Sequence, residues 1–248
     1  MLEMIDFHCH PDLYNDNFKV IEKSRENNFR IVAMTNLPQL YRKYCEKFSN
    51  EKTINISLGY HPQLIEEYPN ELNIFLKYVK EASFIGEVGL DISSKGTNNI
   101  ELQKKIFESI VNECAKVGNK IISIHSRKTD DIIFDFLKRS SCIYIMHWYT
   151  GNIKRLLNAM SSDDNIYVSI NSDMVHSYNS RKLIEAVPLS RMVLETDAPF
   201  TAKTKNEYPK KILNDIVIEI AKIKKIERLQ VLKTISDNSR KILSIQER

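Results

Sequence analysis

The sequence predicts an α/β fold, the (β/α)8 or TIM barrel, and three observations carry that expectation. Eight short apolar runs alternate with helix-like segments. Each run is almost continuously apolar, as strands buried on both faces are. Imidazoles and carboxylates recur where these runs end, and in a (β/α)8 barrel the C-terminal strand ends gather at one rim, where active sites are built. An open doubly wound sheet is the other architecture for alternating strands and helices. The strand count and the polar residues favour the barrel.

Taken in order, the expected strands are residues 4–7, 30–35, 54–59, 84–89, 120–125, 143–147, 166–170 and 192–195, each rich in Ile, Val, Phe or Met. Between the fourth and fifth, residues 100–116 place Leu102, Ile106, Phe107, Ile110, Val111 and Cys114 on one stripe, the signature of a helix with one buried face. Residues 130–139 and 152–160 read as shorter helices, with Asn152 as the N-cap of the second. Two long helical patterns, 207–224 and 226–245, follow the last strand. The chain has 248 residues, enough for one or two domains at about 150 residues each. No Gly/Ser linker or composition break divides it, so a single domain spanning 1–248 is expected.

Composition narrows the class further. Hydrophobic residues make up 42% and charged residues 27%, which excludes disordered and collagen-like chains. Lys and Arg number 36 against 32 Asp and Glu, a formal net charge of +4. That balance permits a nucleic-acid substrate without arguing for one, because a dedicated nucleic-acid-binding domain shows a stronger basic stripe. Cys9, Cys45, Cys114 and Cys142 are widely spaced and form no CxxC pair. The start, MLEMIDFHCHPDLY, carries acidic residues and two histidines where a signal peptide needs an apolar core. No apolar stretch reaches the roughly 18 residues of a membrane span. A cytoplasmic protein with reduced thiols and no membrane partner is expected.

The chemistry is carried by histidines. Of the six, His8 and His10 follow the first expected strand, His61 the third, and His125 and His147 end the fifth and sixth; His176 stands apart. Glu87 in the fourth strand and Asp197 after the eighth add carboxylates. In His8–Cys9–His10, alternate side chains of an extended segment point the same way, so both imidazoles can grip one metal ion. Cys9 then points away and serves packing. Neutral imidazole and carboxylate suit Zn, Mn and related divalent ions. A carboxylate such as Glu87 can bridge two of them, and paired ions clamp the attacking and leaving oxygens of a displacement.

Each residue also has an ordinary structural explanation: a turn cap for His61, hydrogen-bonded core positions for His125 and His147. Glu87 and Asp197 resist it, because they lie within or beside the apolar runs FIGEVGLD and MVLETDAPF, and buried charges are rare unless paired. Seven such residues on one expected rim point to a metal site. The chain carries no G-x-S-x-G elbow, P-loop or G-x-G-x-x-G fingerprint.

The segments DFHCHPD, GYHP, IGEVGLD, SIHSR, HWYTG and LETDAPF, in this order and spacing, resemble the TatD-like metal-dependent hydrolases, over residues 4 to about 199. The resemblance implies an amidohydrolase-type barrel with two divalent metal ions, Zn, Mg, Mn or Ni, and a deoxyribonuclease activity of the 3′ exonuclease type with single strands preferred. It implies His8, His10, Glu87 and Asp197 at the first metal and Glu87, His125 and His147 at the second. Asp197 would also orient and deprotonate the attacking water, with Glu87 as its catalytic partner. His61 would sit near the metals or contact substrate phosphate, and Glu195 would be a supporting carboxylate that fixes ligand orientation.

Arg127, Lys203 and Lys205 are candidate phosphate contacts. Trp148 and Tyr149 are candidate base-stacking residues, with packing as their other role. Departures from the family pattern fall in the loops: Ile92 after GLD, HWYTG itself, VSINSDMVHSYNS after the seventh strand, and a short TAKTKNEYP after DAPF. A bulky Trp148 and a short last loop suggest a narrower substrate range than a general DNase. The same ligands also suit an ester or amide hydrolase, such as an aminoacyl-tRNA deacylase. TatD-like chains also occur in prokaryotic defence gene clusters, and the further alternative is that this chain is a subunit of a multi-protein assembly, such as one for anti-phage defence.

Overall fold

A computed structural model describes residues 4–14, 17–93, 99–201 and 209–247. Eight strands, β1 (Ile5–Cys9), β2 (Arg30–Ala33), β3 (Ile54–Tyr60), β4 (Phe84–Asp91), β5 (Ile121–Arg127), β6 (Ile143–Met146), β7 (Ile166–Ile170) and β8 (Met192–Leu194), follow one another in chain order as a closed barrel. The described pairings are parallel, among them β1 with β2 and with β8, β4 with β5, and β7 with β8. The (β/α)8 barrel expected from the sequence is the observed fold.

Helices join the strands: α1 (Asn17–Glu26), α2 (Pro38–Lys47), α3 (Leu72–Tyr78), α4 (Ile100–Val117), α5 (Ile153–Ser162), α6 (Ser172–His176), α7 (Tyr178–Ala186), α8 (Pro209–Lys224) and α9 (Arg228–Leu243). Among the described residues none of them is long and apolar enough to cross a membrane.

Contacts divide the chain into two units. The first comprises Met1–Ala33, Asn50–Asn55 and Val168–Leu243. Its strands are buried along their length, with Ile5, Phe7, Ile31, Val32, Val193 and Leu194 at 3% exposure or less. α8 lays Ile212, Leu213, Ile216, Val217 and Ile220 over them, and Asn238 of α9 donates to the Leu189 and Met192 carbonyls at 2.9 and 2.8 Å.

The second unit comprises Met34–Ser49, Ile56–Tyr167 and Ser244–Arg248. Here α4 buries Ile106, Phe107, Ile110, Val111 and Cys114, the stripe read from the sequence save Leu102, which is only partly buried. Asn99 caps its start, accepting from the Leu102 N–H at 3.0 Å. Asn152 caps α5 as expected, accepting from the Arg155 N–H at 3.1 Å.

One element differs. The helix expected over 130–139 is a single 3-10 turn, Ile133–Phe136. Its neighbours are claimed by side chains instead of by a continuing helix. The Asp130 carboxylate accepts from the Asn152 N–H and from Arg155 at the start of α5. The Tyr144 hydroxyl bonds both the N–H and the C=O of Lys138.

Candidate metal centre

In the first unit, β1 ends in His8 and Cys9, with His10 one residue on. Two backbone bonds fix this end against the segment after β8. The His10 N–H donates to the Ala198 carbonyl at 2.8 Å, and the Asp197 N–H donates to the His8 carbonyl at 2.9 Å. Asp197 has φ 49, in the left-handed region that costs a non-glycine residue energy. The surrounding turn holds it there. Phe200 N–H donates to the Asp197 carbonyl at 2.8 Å, and the Thr201 hydroxyl donates to the Thr196 carbonyl at 3.0 Å. Thr196 in turn bonds Asp6 through its N–H and hydroxyl, at 2.9 and 2.6 Å. Burial pushes the Asp6 carboxyl up to about 7 even against these bonds.

The result is a compact set of three donors. His8 Nε2 and His10 Nε2 are 3.2 Å apart, and Asp197 Oδ1 lies 3.7 and 3.6 Å from them. Two nitrogens on one tetrahedral ion with bonds of about 2.0–2.1 Å sit about 3.3 Å apart. The spacing of this buried set therefore fits a divalent cation. Cys9 faces elsewhere, fully buried with Sγ 3.9 Å from the Ala198 carbonyl.

In the second unit, Glu87 sits mid-strand on β4, and its position depends on glycines. Gly86 and Gly89 have φ +148 and +146, values an L side chain rarely adopts, and the β4 ladder shifts register between Ile85 and Val88. A Cβ on Gly89 would stand 2.0 Å from the His125 carbonyl. Ser57 donates to the Gly86 carbonyl at 2.6 Å, and the Glu87 N–H donates to the Thr35 carbonyl at 3.3 Å.

The Glu87 carboxylate then faces three imidazoles. His125 Nδ1 lies 2.5 Å and His147 Nε2 3.7 Å from Oε1, and His61 Nε2 lies 3.6 Å from Oε2. His61, Glu87 and His125 together offer ligand atoms within 4.8 Å of one another. Desolvation alone would lower His125, but the Glu87 charge and hydrogen bonds to Asp91 and Glu87 push it up to about 9. An ion held by His125 would take the place of that proton.

Sequence reasoning missed Asp91, the last residue of β4. Its Oδ2 lies 2.8 Å from His125 Nε2 and accepts from Gln63 at 2.8 Å. Burial would raise Asp91, yet hydrogen bonds from His125 and Ser93 hold it well below the usual carboxylate range. A carboxylate on the second ring nitrogen is the usual device that fixes the orientation and tautomer of a metal-bound imidazole. The signal in the sequence was only an Asp four residues past the Gly–Glu pair.

The other expected residues divide. Glu195 is buried and accepts from Ser169 and from Asn171 Nδ2, the latter at 3.0 Å. Arg127 ends β5 in an exposed position. Trp148 is half-buried, with φ 36 and its ring 6.4 Å from that of His147. Tyr149 is a correction. It is fully buried, donates to the Asn152 carbonyl at 3.0 Å and packs on Phe134, so it offers no face to a base. Lys203 and Lys205 lie outside the described residues.

The sequence profile of the family described as TatD related DNase matches residues 5–244. The chain belongs to this family. Among its TatD-like relatives, an uncharacterized metal-dependent hydrolase of Methanocaldococcus jannaschii is 29% identical, covering 96% of each chain. The human 3′-5′ RNA nuclease TATDN2 is 24% identical over 97% of this chain and 35% of its own length. The crystal structure of YjjV, a TatD homologue of Escherichia coli, superposes with a TM-score of 0.83 at 16% identity, covering 97% of this chain and 98% of that one. TatD membership makes the chain a metal-dependent hydrolase.

Proposed function

We propose that this TatD-family chain hydrolyses phosphodiester bonds in nucleic acid, with single-stranded DNA and its 3′ ends as the preferred substrate. The observation that supports this most is the pair of donor sets, each combining imidazoles with a carboxylate. In this reading His8, His10 and Asp197 hold one ion, and Glu87, His125 and His147 hold a second. Bound divalent ions supply Lewis-acid polarisation of a phosphoryl oxygen and a water pKa lowered toward neutrality.

The chain's own groups do the rest. Asp197 accepts the proton of the attacking water at its carboxylate, and the turn from Thr196 to Thr201 holds that carboxylate in place. His61 accepts from the Gln63 N–H at Nδ1 (3.2 Å), so its neutral ring carries the proton on Nε2 and can donate it to a phosphate oxygen. Asp91 keeps His125 in one orientation. Glu195, locked by Ser169 and Asn171, fixes the backbone two residues before Asp197. Arg127, exposed at the end of β5, meets a flanking phosphate, Lys203 and Lys205 serve others, and Trp148 narrows the mouth against duplex.

Parallel assays test this reading: labelled single-stranded DNA, duplex DNA and RNA, an aminoacyl ester and an amide, each with divalent metal and with chelator. Metal-dependent cleavage of single-stranded DNA ahead of the others is expected. Hydrolysis of the ester or amide without strand cleavage would overturn it.

A further inference from the structure

Six large hydrophobic side chains are exposed among the described residues: Leu13, Leu76, Ile92, Tyr178, Phe200 and Leu229. Two of them are aromatic. Tyr178, on α7, has the Lys182 ammonium 4.3 Å from its ring centre. Phe200 is different. It is 58% exposed, and its ring centre lies 5.2 Å from that of His10 at an interplanar angle of 83°. A large apolar ring left in water beside a ligand histidine forgoes the burial that normally places phenylalanine inside.

Its backbone is also fixed. Phe200 follows Pro199, its N–H donates to the Asp197 carbonyl at 2.8 Å, and Thr201 ties the same turn to Thr196 at 3.0 Å. The ring therefore stands at a set position relative to His10 and Asp197. Leu13, 43% exposed, lies beyond the other side of His10 in sequence, its N–H donating to the His10 carbonyl at 3.1 Å.

We infer that Phe200 is the stacking platform of this site: its exposed ring takes the face of the base next to the phosphate being cut. The inference rests on the phosphodiesterase reading above and names the specificity element within it. Tyr149 is too deeply buried for this role and Trp148 only half-exposed. A base stacked on a ring that does not move loses little freedom in the protein, and every base has a π-face, so the contact tolerates any sequence. It also favours unpaired nucleotides, since a base within a duplex is already stacked on its neighbours.

The test uses the metal-loaded full chain carrying Asp197→Asn to slow cleavage, with short DNA strands bearing 2-aminopurine at the 3′ or the 5′ terminus. Binding is read by anisotropy and stacking by quenching of the 2-aminopurine. One of the two strands should be quenched on binding. Adding Phe200→Ala should abolish that quenching and weaken binding by roughly 5- to 150-fold. Phe200→Trp should retain both, and Phe200→Leu should recover part of the affinity without the quenching.

Quenching that persists in Phe200→Ala would overturn the inference. So would a loss of metal affinity with quenching per bound strand unchanged, which would make Phe200 a positioning residue for His10. If the wild type cuts strands but the parent shows no quenching at either end, the stacking role falls and the phosphodiesterase reading stands. If the chain neither binds nor cuts strands, that reading falls and the stacking role with it.

Discussion

Asp197 and Asp91 are both carboxylates beside imidazoles, and the structure separates what each can do. Asp197 lies 3.6–3.7 Å from two imidazole nitrogens on a turn closed by hydrogen bonds. Asp197→Asn keeps the shape and removes most of the basicity. Turnover should fall by roughly 10²-fold or more, the scale for losing a general base, a larger effect than on metal binding. Wild-type turnover would remove Asp197 from the proton transfer. Asp91 instead touches the far nitrogen of His125. Asp91→Asn should weaken metal binding at the His125 set by about 10–100-fold, as losing an orienting partner does. A metal titration by calorimetry checks it, and unchanged affinity would deny Asp91 that role.

At this scale the sequence was informative wherever a charge or imidazole interrupted an apolar run. His8, His10, Glu87, His125, His147 and Asp197 stood out for that reason, and the structure groups them in two sets within hydrogen-bonding or ligand range. Asp91 did not stand out, because an Asp after a strand reads equally well as an ordinary turn residue. Tyr149 was misleading because HWYTG says nothing about which ring turns inward. The Asn152 carbonyl, which accepts its hydroxyl proton, decides that.

Among the elements, β4 is the most constrained. It carries Glu87 and Asp91, and its glycines are required by both conformation and space. Gly89→Ala forces a side chain into φ +146 and puts a Cβ 2.0 Å from the His125 carbonyl. Strain and overpacking each cost about 1–3 kcal/mol. The substitution should therefore lower the melting temperature sharply and displace His125, reducing metal uptake even in protein that folds. A melting temperature and metal content equal to wild type would contradict this view of the strand.

All eight strands were legible because both faces are buried, which leaves little but apolar residues in each. The long patterns of α4, α8 and α9 were legible from their stripes, and α5 from its cap. The turn at Ile133–Phe136 was not. Its fate is set by Asp130, Arg155 and Tyr144, contacts distant in sequence that no local pattern reports.

For the whole molecule, the family and the barrel set the chemistry, and the loops set what enters. Trp148 sits directly after His147, half-buried with a left-handed backbone. If it narrows the mouth, Trp148→Ala should raise activity on duplex DNA relative to short single strands without altering metal content. An unchanged duplex-to-single-strand ratio would assign the indole to packing alone.

In the proposed function, two ligand sets hold the divalent ions on which strand cleavage depends. Counting metal per chain, by elemental analysis after stripping and reloading, alongside cleavage of a labelled single strand, tests this dependence. Wild type should bind two divalent ions and cut only when loaded. The His8→Ala, His10→Ala double variant should retain one ion and lose cleavage. Full metal content and full cleavage in the double variant, or cleavage by wild type that survives stripping, would contradict the claim.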